Sequence, residues 1–113
     1  MNDATLLQQA QSVLDGNAPQ RSRMASWLAR SALEEAVHSR LEQRGRPAGT
    51  ASMRSLLSCF EVAYLDDPSL VESAQNAWVG LSNACHHHAF QRTPTTAETQ
   101  QLIDTVRRVS NRA

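Results

Sequence analysis

Hydrophobic residues recur along this chain at intervals of three and four positions, the spacing that places them on one face of an α-helix. The first such stretch lies between Asn2 or Asp3, either of which can cap a helix start, and Gly16, which can end a helix. Its apolar positions are Leu6, Leu7, Ala10, Val13 and Leu14. We therefore predict a first amphipathic helix here.

A longer second helix is predicted from about Pro19 to Arg44, because proline suits a first helical turn and a loop signature follows at residues 45–49. Its apolar positions cover much of the circumference instead of forming one stripe. They are Met24, Trp27, Leu28, Ala32, Leu33, Ala36, Val37 and Leu41. A helix with this pattern is usually central and touches several neighbours.

The third predicted helix is short. Thr50 or Ser52 can cap its start, and Asp66-Asp67-Pro68 interrupts the chain after it. Its inward positions are Met53, Leu56, Leu57, Phe60, Ala63 and Tyr64. The sequence thus places a third amphipathic helix between two interruptions.

Two more helices follow. Asp67 as a cap and Pro68 in the first turn predict the start of the fourth. Its apolar stripe is Leu70, Ala74, Ala77, Trp78, Leu81, Cys85 and His88. Thr95 with Glu98 three residues later is a capping box, which predicts the start of the last helix. The inward positions of that helix are Leu102, Ile103, Val106 and Val109.

These patterns predict an all-α fold, an antiparallel bundle of four to five helices. No period-2 alternation or hairpin turn indicates a strand. At 113 residues, without a repeat or a low-complexity segment, the whole range 1–113 is expected to form a single domain.

The charge balance argues against partners that bind by charge alone. Eleven basic and eleven acidic residues give no net charge, and every basic residue is arginine. We therefore expect no DNA ligand and no membrane surface. No apolar run is long enough to span a bilayer and no signal peptide is visible, so a cytoplasmic location is expected.

Cysteine and tryptophan are expected to serve packing. Cys59 and Cys85 do not have the spacing of a disulfide scaffold or a zinc site, so we predict two small buried side chains. Trp27 and Trp78 lie among apolar helix positions, and we predict that both are core residues and not stacking platforms.

The consecutive histidines His86, His87 and His88 are the most conspicuous candidates for chemistry. Neighbours on a helix project about 100° apart, so three rings in a row cannot face one ion. No two histidines have the three- or four-residue spacing of a helical metal pair. A metal site would need His38 to approach from another helix, with Glu34, Glu35 or Glu61 completing it. We predict no metal site and no cofactor, and keep the His38 arrangement as an alternative.

Two of these histidines have different surroundings on the predicted fourth helix. His88 lies on the apolar stripe, which predicts a core histidine satisfied by a carbonyl or carboxylate. His87 projects to one side, on the same face as Asn83. This polar pair either lines a groove or dimer interface, where histidine can act as an acid or base, or forms a solvent-exposed face.

The segment Leu81-Ser82-Asn83-Ala84-Cys85-His86-His87-His88-Ala89-Phe90 resembles the motif region of HEPN domains. These are four- or five-helix proteins; many are RNA-cleaving toxins or antiviral effectors, and many are homodimers. Their motif is an arginine, a polar residue and, four to six positions on, a histidine. Asn83 matches the polar residue and His87 or His88 the histidine, whereas Ser82 stands in the arginine position.

The resemblance implies a metal-independent ribonuclease in which arginine holds the scissile phosphate and histidine moves the proton. Serine does not provide a charged, planar fork for a phosphate. Either the chain belongs to an inactive branch, or another arginine fills the place, with Arg30 and Arg54 the candidates by elimination.

We therefore expect a dimeric interaction module or a degenerate ribonuclease of a toxin–antitoxin or defence system, with RNA or a protein as partner. Ser82, Asn83, His87 and His88 are its expected reactive residues, and His86, His38 and Arg30 line the binding site. The alternatives are a purely partner-binding bundle and a histidine-based metal-binding bundle.

Overall fold

Five α-helices account for most of the residues that the computed structural model describes, which are residues 2–85 and 93–111. No strand is found in these two ranges. The helices are α1 (Asp3–Leu14), α2 (Arg21–Gln43), α3 (Met53–Ala63), α4 (Pro68–Cys85) and α5 (Thr96–Ser110). The predicted all-α class is confirmed, and none of these described helices is long and apolar enough to cross a bilayer.

The predicted capping residues start the helices. The side chain of Asn2 accepts a hydrogen bond from the Thr5 amide at 2.8 Å at the start of α1. Ser52, one of the two predicted candidates, caps α3. At the start of α5, Thr95 and Glu98 form the complete capping box, with distances of 3.1 and 3.2 Å. These contacts satisfy amides that have no partner inside the helix.

The starts of α4 and α2 were also predicted from the sequence. The Asp67 carboxylate accepts a hydrogen bond from the Leu70 amide at 3.2 Å, so the predicted cap of α4 is confirmed. The second helix begins at Arg21 and not at Pro19, with Gln20 as a cap whose side chain makes no capping hydrogen bond.

Helix α2 lies at the centre of the bundle. It packs against α1, α3, α4 and α5, as its all-round apolar pattern predicts. The other helices form an arc around it in the order α1, α5, α4, α3, since each packs against the next in that order. Arg40 of α2 donates to the carbonyls of Val109 and Asn111, so α2 and α5 end at the same end of the bundle.

Helix α2 buries five of its eight predicted apolar positions: Ala32, Leu33, Ala36, Val37 and Leu41. It also buries small residues that were not predicted, which allow neighbouring helices to approach closely: Ser22, Ala25, Ser26 and Ala29. Met24 and Trp27 are 46% and 51% exposed. The prediction that Trp27 is a core residue is therefore wrong, because the buried positions Ala25 and Ala29 project from another side of the helix.

Two other packing predictions need correction. On α4, Leu70 and Trp78 pack against the core but are half-buried, while Val71 and Ala84 are buried, so the buried stripe is rotated from its predicted centre. Cys85 is buried as predicted, whereas Cys59 is exposed on α3.

Candidate anion-binding face

The histidine cluster itself, His86, His87 and His88, lies outside the described residues. The positions just before it are described, and they occupy the last turns of α4. Ser82 is half-buried, Asn83 is exposed and Cys85 is buried. We therefore build the site from the residues that surround this end of α4.

Arg30 of α2 lies against α4, close to Trp78. Its guanidinium carbon is 4.4 Å from the ring centroid of Trp78 and 5.6 Å from that of Trp27. Trp78 precedes Ser82 by one helical turn. Of the two arginines proposed to replace the missing motif arginine, Arg30 is thus the one that the structure places beside α4, whereas Arg54 is exposed on α3.

A second arginine shares this face of α2. Arg23, Trp27 and Arg30 follow the i, i+4, i+7 spacing of one helix face, and on α4 the same spacing relates Trp78, Ser82 and Cys85. We call the two rows together the Arg–Trp seam: Arg23, Trp27 and Arg30 of α2 with Trp78, Ser82 and Cys85 of α4. Residue Arg23 was missed by sequence reasoning because nothing local distinguishes it from other surface arginines.

The seam holds polar atoms without partners. The Nε atoms of Arg23 and Arg30 and the Oγ atom of Ser82 are buried and have no hydrogen-bond partner among the described residues. Neither arginine forms an ion pair with a carboxylate in the described ranges. Buried polar groups are almost always paired in proteins, so these unpaired atoms are unusual, and the charge of each guanidinium group, which no carboxylate neutralises within the described ranges, suits an anionic ligand.

The positive charge of both arginines reaches the end of α4. Burial raises the pKa of the Cys85 thiol, while Arg30 and Arg23 oppose that rise because their charges favour the thiolate. Both guanidinium groups therefore act on the position that directly precedes His86 in the sequence. This end of the bundle offers two cations to an anionic ligand.

Arg44 is an arginine of the same protein whose terminal nitrogens are paired within the fold. Its guanidinium carbon lies 3.9 Å from the Tyr64 ring centroid, a stacking arrangement similar to that of Arg30. Its terminal nitrogens, however, donate to the Ala63 carbonyl at 2.9 Å and to both Asp66 oxygens at 3.0 and 3.2 Å. The hydrogen bonds with Asp66 raise the pKa of Arg44 and lower that of Asp66. Arg44 therefore joins α2 to the end of α3, whereas Arg30 has no such acceptors.

Asn83 faces a different surface from Ser82. It lines a groove of about 570 Å³ between α4 and α5, together with Gly80, Glu98 and Leu102. Gly80 packs directly against Leu102, since a Cβ atom at Gly80 would lie 2.8 Å from Leu102 Cδ2 and the leucine side chain would have to shift. The expected pairing of Asn83 with His87 lies outside the described residues.

His38 was expected to line the binding site or to join the histidine cluster around a metal ion. His38 is half-buried on α2, 8 residues after Arg30 and 15 residues after Arg23, which corresponds to about 12 and 22 Å along the helix axis. The charges of both arginines act at Cys85, and His38 lies beyond them on α2. Within the described ranges, no three histidine, cysteine, aspartate or glutamate side chains form a group suited to a metal ion. The His38 alternative also depends on the histidine cluster, which lies outside the described residues, so it stays a prediction.

Comparisons with known proteins, by sequence and by structure, gave no match. The sequence matches no family model and no curated protein, and the structure matches no solved structure.

Proposed function

We propose that this chain is a HEPN-like helical bundle that binds RNA, with Arg30 supplying the guanidinium that the motif lacks at Ser82. The observation that supports the proposal is the position of Arg30. Its guanidinium is stacked 4.4 Å from Trp78, one turn before Ser82, and its buried Nε atom has no acceptor among the described residues. The guanidinium also forms no ion pair with a carboxylate in the described ranges, so its charge suits a phosphodiester oxygen.

The chemistry follows from the order of residues along the chain. Arg30 and Arg23 hold the phosphate, and the chain passes from Cys85 directly into His86, His87 and His88. Histidine can transfer a proton to or from the 2′-hydroxyl or the leaving oxygen. Since the motif arginine is absent from α4 itself, we propose RNA binding with weak or no cleavage, in a toxin–antitoxin or phage-defence setting.

RNA binding is measured by the anisotropy of a labelled single-stranded RNA at low salt, where phosphate contacts are strongest. We expect Arg30→Ala to weaken binding about tenfold or more, since a hydrogen bond to a charged group contributes about 1.5–3 kcal/mol. Arg54→Ala, an exposed arginine on α3, is the matched control and should bind like wild type. Equal behaviour of the two variants would contradict the proposal.

Cleavage is tested separately with labelled RNA, with and without chelator, comparing wild type with a His87→Ala, His88→Ala double variant. We expect any cleavage to survive the chelator and to be lost in the double variant. Cleavage that the double variant retains would assign the activity to other residues or to a contaminant.

A homodimeric interaction module is the second candidate. The observation that favours it is the exposure of Met24 and Trp27, which lie one turn apart on α2 and are 46% and 51% exposed. A Trp27→Ser, Met24→Ser double variant would then shift from dimer to monomer in size-exclusion chromatography with light scattering. A wild-type protein that is monomeric at high concentration removes this candidate.

A further inference from the structure

We infer that the Trp27 ring is a stacking subsite for an unpaired nucleobase, next to the arginines that hold the phosphate. The inference rests on the proposed RNA binding, and it adds the part of the ligand that Trp27 contacts. It begins from the exposure of Trp27, which is 51% exposed as a residue even though the sequence pattern predicts a core position.

The two tryptophans of the seam are not equivalent. The Trp78 ring is half-buried, and the Arg30 guanidinium covers it at 4.4 Å. The Trp27 ring is more exposed, and Arg30 lies farther from its centroid, at 5.6 Å. Trp27 therefore keeps open surface on which another planar group can stack, while Trp78 serves to hold Arg30 in place.

The surroundings of Trp27 favour a nucleotide over an apolar partner. Arg23 and Arg30 flank it on the same helix face, one turn before and one turn after, and both have an unpartnered Nε atom among the described residues. An apolar surface seated here would cover two guanidinium groups without giving them acceptors, which is unfavourable. A nucleotide offers both a planar base for the ring and a phosphate for a guanidinium.

The same geometry selects unpaired bases. A base in a duplex is stacked on both sides by its neighbours, so its face is not available to a ring on a protein surface. Stacking of an unpaired base on an aromatic side chain tolerates any base, because every base has a π-face. The subsite is therefore expected to prefer single strands without strong sequence preference.

The test compares ligands with and without bases. The probes are a short single-stranded RNA of mixed sequence, the same RNA as a duplex, and an abasic backbone of equal length. Wild type is expected to bind the single strand about tenfold more tightly than the abasic backbone. Trp27→Leu should remove that preference and Trp27→Phe should keep most of it. Met24→Leu, which changes a neighbouring exposed side chain, is the control and should leave the preference unchanged.

The outcomes separate this inference from the proposed function. If Trp27→Leu keeps the preference for bases, or weakens RNA and abasic backbone equally, the stacking subsite is wrong, while a loss of binding in Arg30→Ala still supports RNA binding. If wild type binds neither RNA nor abasic backbone at low salt, both are wrong. Competition by adenosine monophosphate as strong as by RNA would support the subsite but assign it to free nucleotides.

Discussion

Replacing Arg30 by methionine separates a binding role from a structural one. Methionine keeps an unbranched apolar stem of similar length but removes the charge and the Nε–H group. Arg30 is half-buried, its guanidinium is 4.4 Å from Trp78, and its Nε atom has no partner among the described residues. The stability and the ligand affinity of this variant should therefore change in different ways.

The effect on stability is the sum of two opposing terms. Loss of the cation–π contact destabilises by about 1 kcal/mol, the middle of the range for sites between exposed and desolvated. Removal of a buried donor without a partner stabilises by about 1–3 kcal/mol, and by the lower part of this range for a half-buried side chain. We therefore expect the free energy of unfolding of Arg30→Met to lie within about 1 kcal/mol of wild type, or above it.

Arg30→Met is expected only to weaken RNA binding, since it removes a charged donor. A hydrogen bond from a charged donor contributes about 1.5–3 kcal/mol, which corresponds to roughly 10- to 150-fold weaker binding when it is lost. Urea unfolding measures the first quantity and RNA anisotropy the second. A variant that is destabilised by more than about 2 kcal/mol but binds RNA normally would refute the reasoning, since Arg30 would then be a structural residue.

Arg44→Met is the matched comparison for this experiment. Arg44 also stacks on an aromatic ring, but its terminal nitrogens are paired with Ala63 and Asp66. We expect this substitution to lower stability and to leave RNA affinity unchanged. Arg30→Met is expected to do the reverse, weakening RNA binding with little change in stability. The difference would be due to the acceptors that the fold provides for Arg44 and not for Arg30.

Three further outcomes are expected from the same structure. Gly80→Val should lower the free energy of unfolding by about 1–3 kcal/mol in urea unfolding, because a Cβ atom at Gly80 would already lie 2.8 Å from Leu102 Cδ2; wild-type stability would refute close packing there. Iodoacetamide should modify exposed Cys59 before Cys85, whose thiol pKa is raised by burial, with peptide mass spectrometry as the readout; faster reaction at Cys85 would contradict its burial. Thr95→Ala should destabilise by about 1 kcal/mol through loss of the α5 cap, measured by thermal unfolding, whereas an unchanged midpoint would mean that the cap contributes little.

The raised pKa of the Cys85 thiol also determines how its contribution to the free energy of unfolding changes with pH. A group whose pKa is higher in the folded state contributes stability that is fully present below its unfolded pKa and is lost as the pH rises through the folded value. The contribution of Cys85 should therefore disappear only in alkaline solution, above the ordinary pKa of a thiol. Comparison of wild type with Cys85→Ala by urea unfolding across this range measures it, and a difference that does not vary with pH would contradict it.

Only part of the candidate site could be predicted from the sequence. Ser82 and Asn83 were found because a short motif surrounds them, and Arg30 entered by elimination. Arg23 and the exposed ring of Trp27 were not found, because their importance depends on which side of α2 faces α4. The seam becomes visible only when residues more than 40 positions apart in the chain lie side by side, as Arg30 and Trp78 do.

The sequence alone determined the helices of this protein, because the interactions that set them are local. Asn2, Ser52, Asp67 and Thr95 cap helix starts through contacts three residues away, and apolar spacing follows the turn of the helix. The tertiary structure alone decided what each face of α2 contacts. Apolar residues surround that helix, so their pattern does not rank its faces; close packing through Ala25, Ala29 and Ala32 left Trp27 outside, and the unpaired arginine Arg30 beside it.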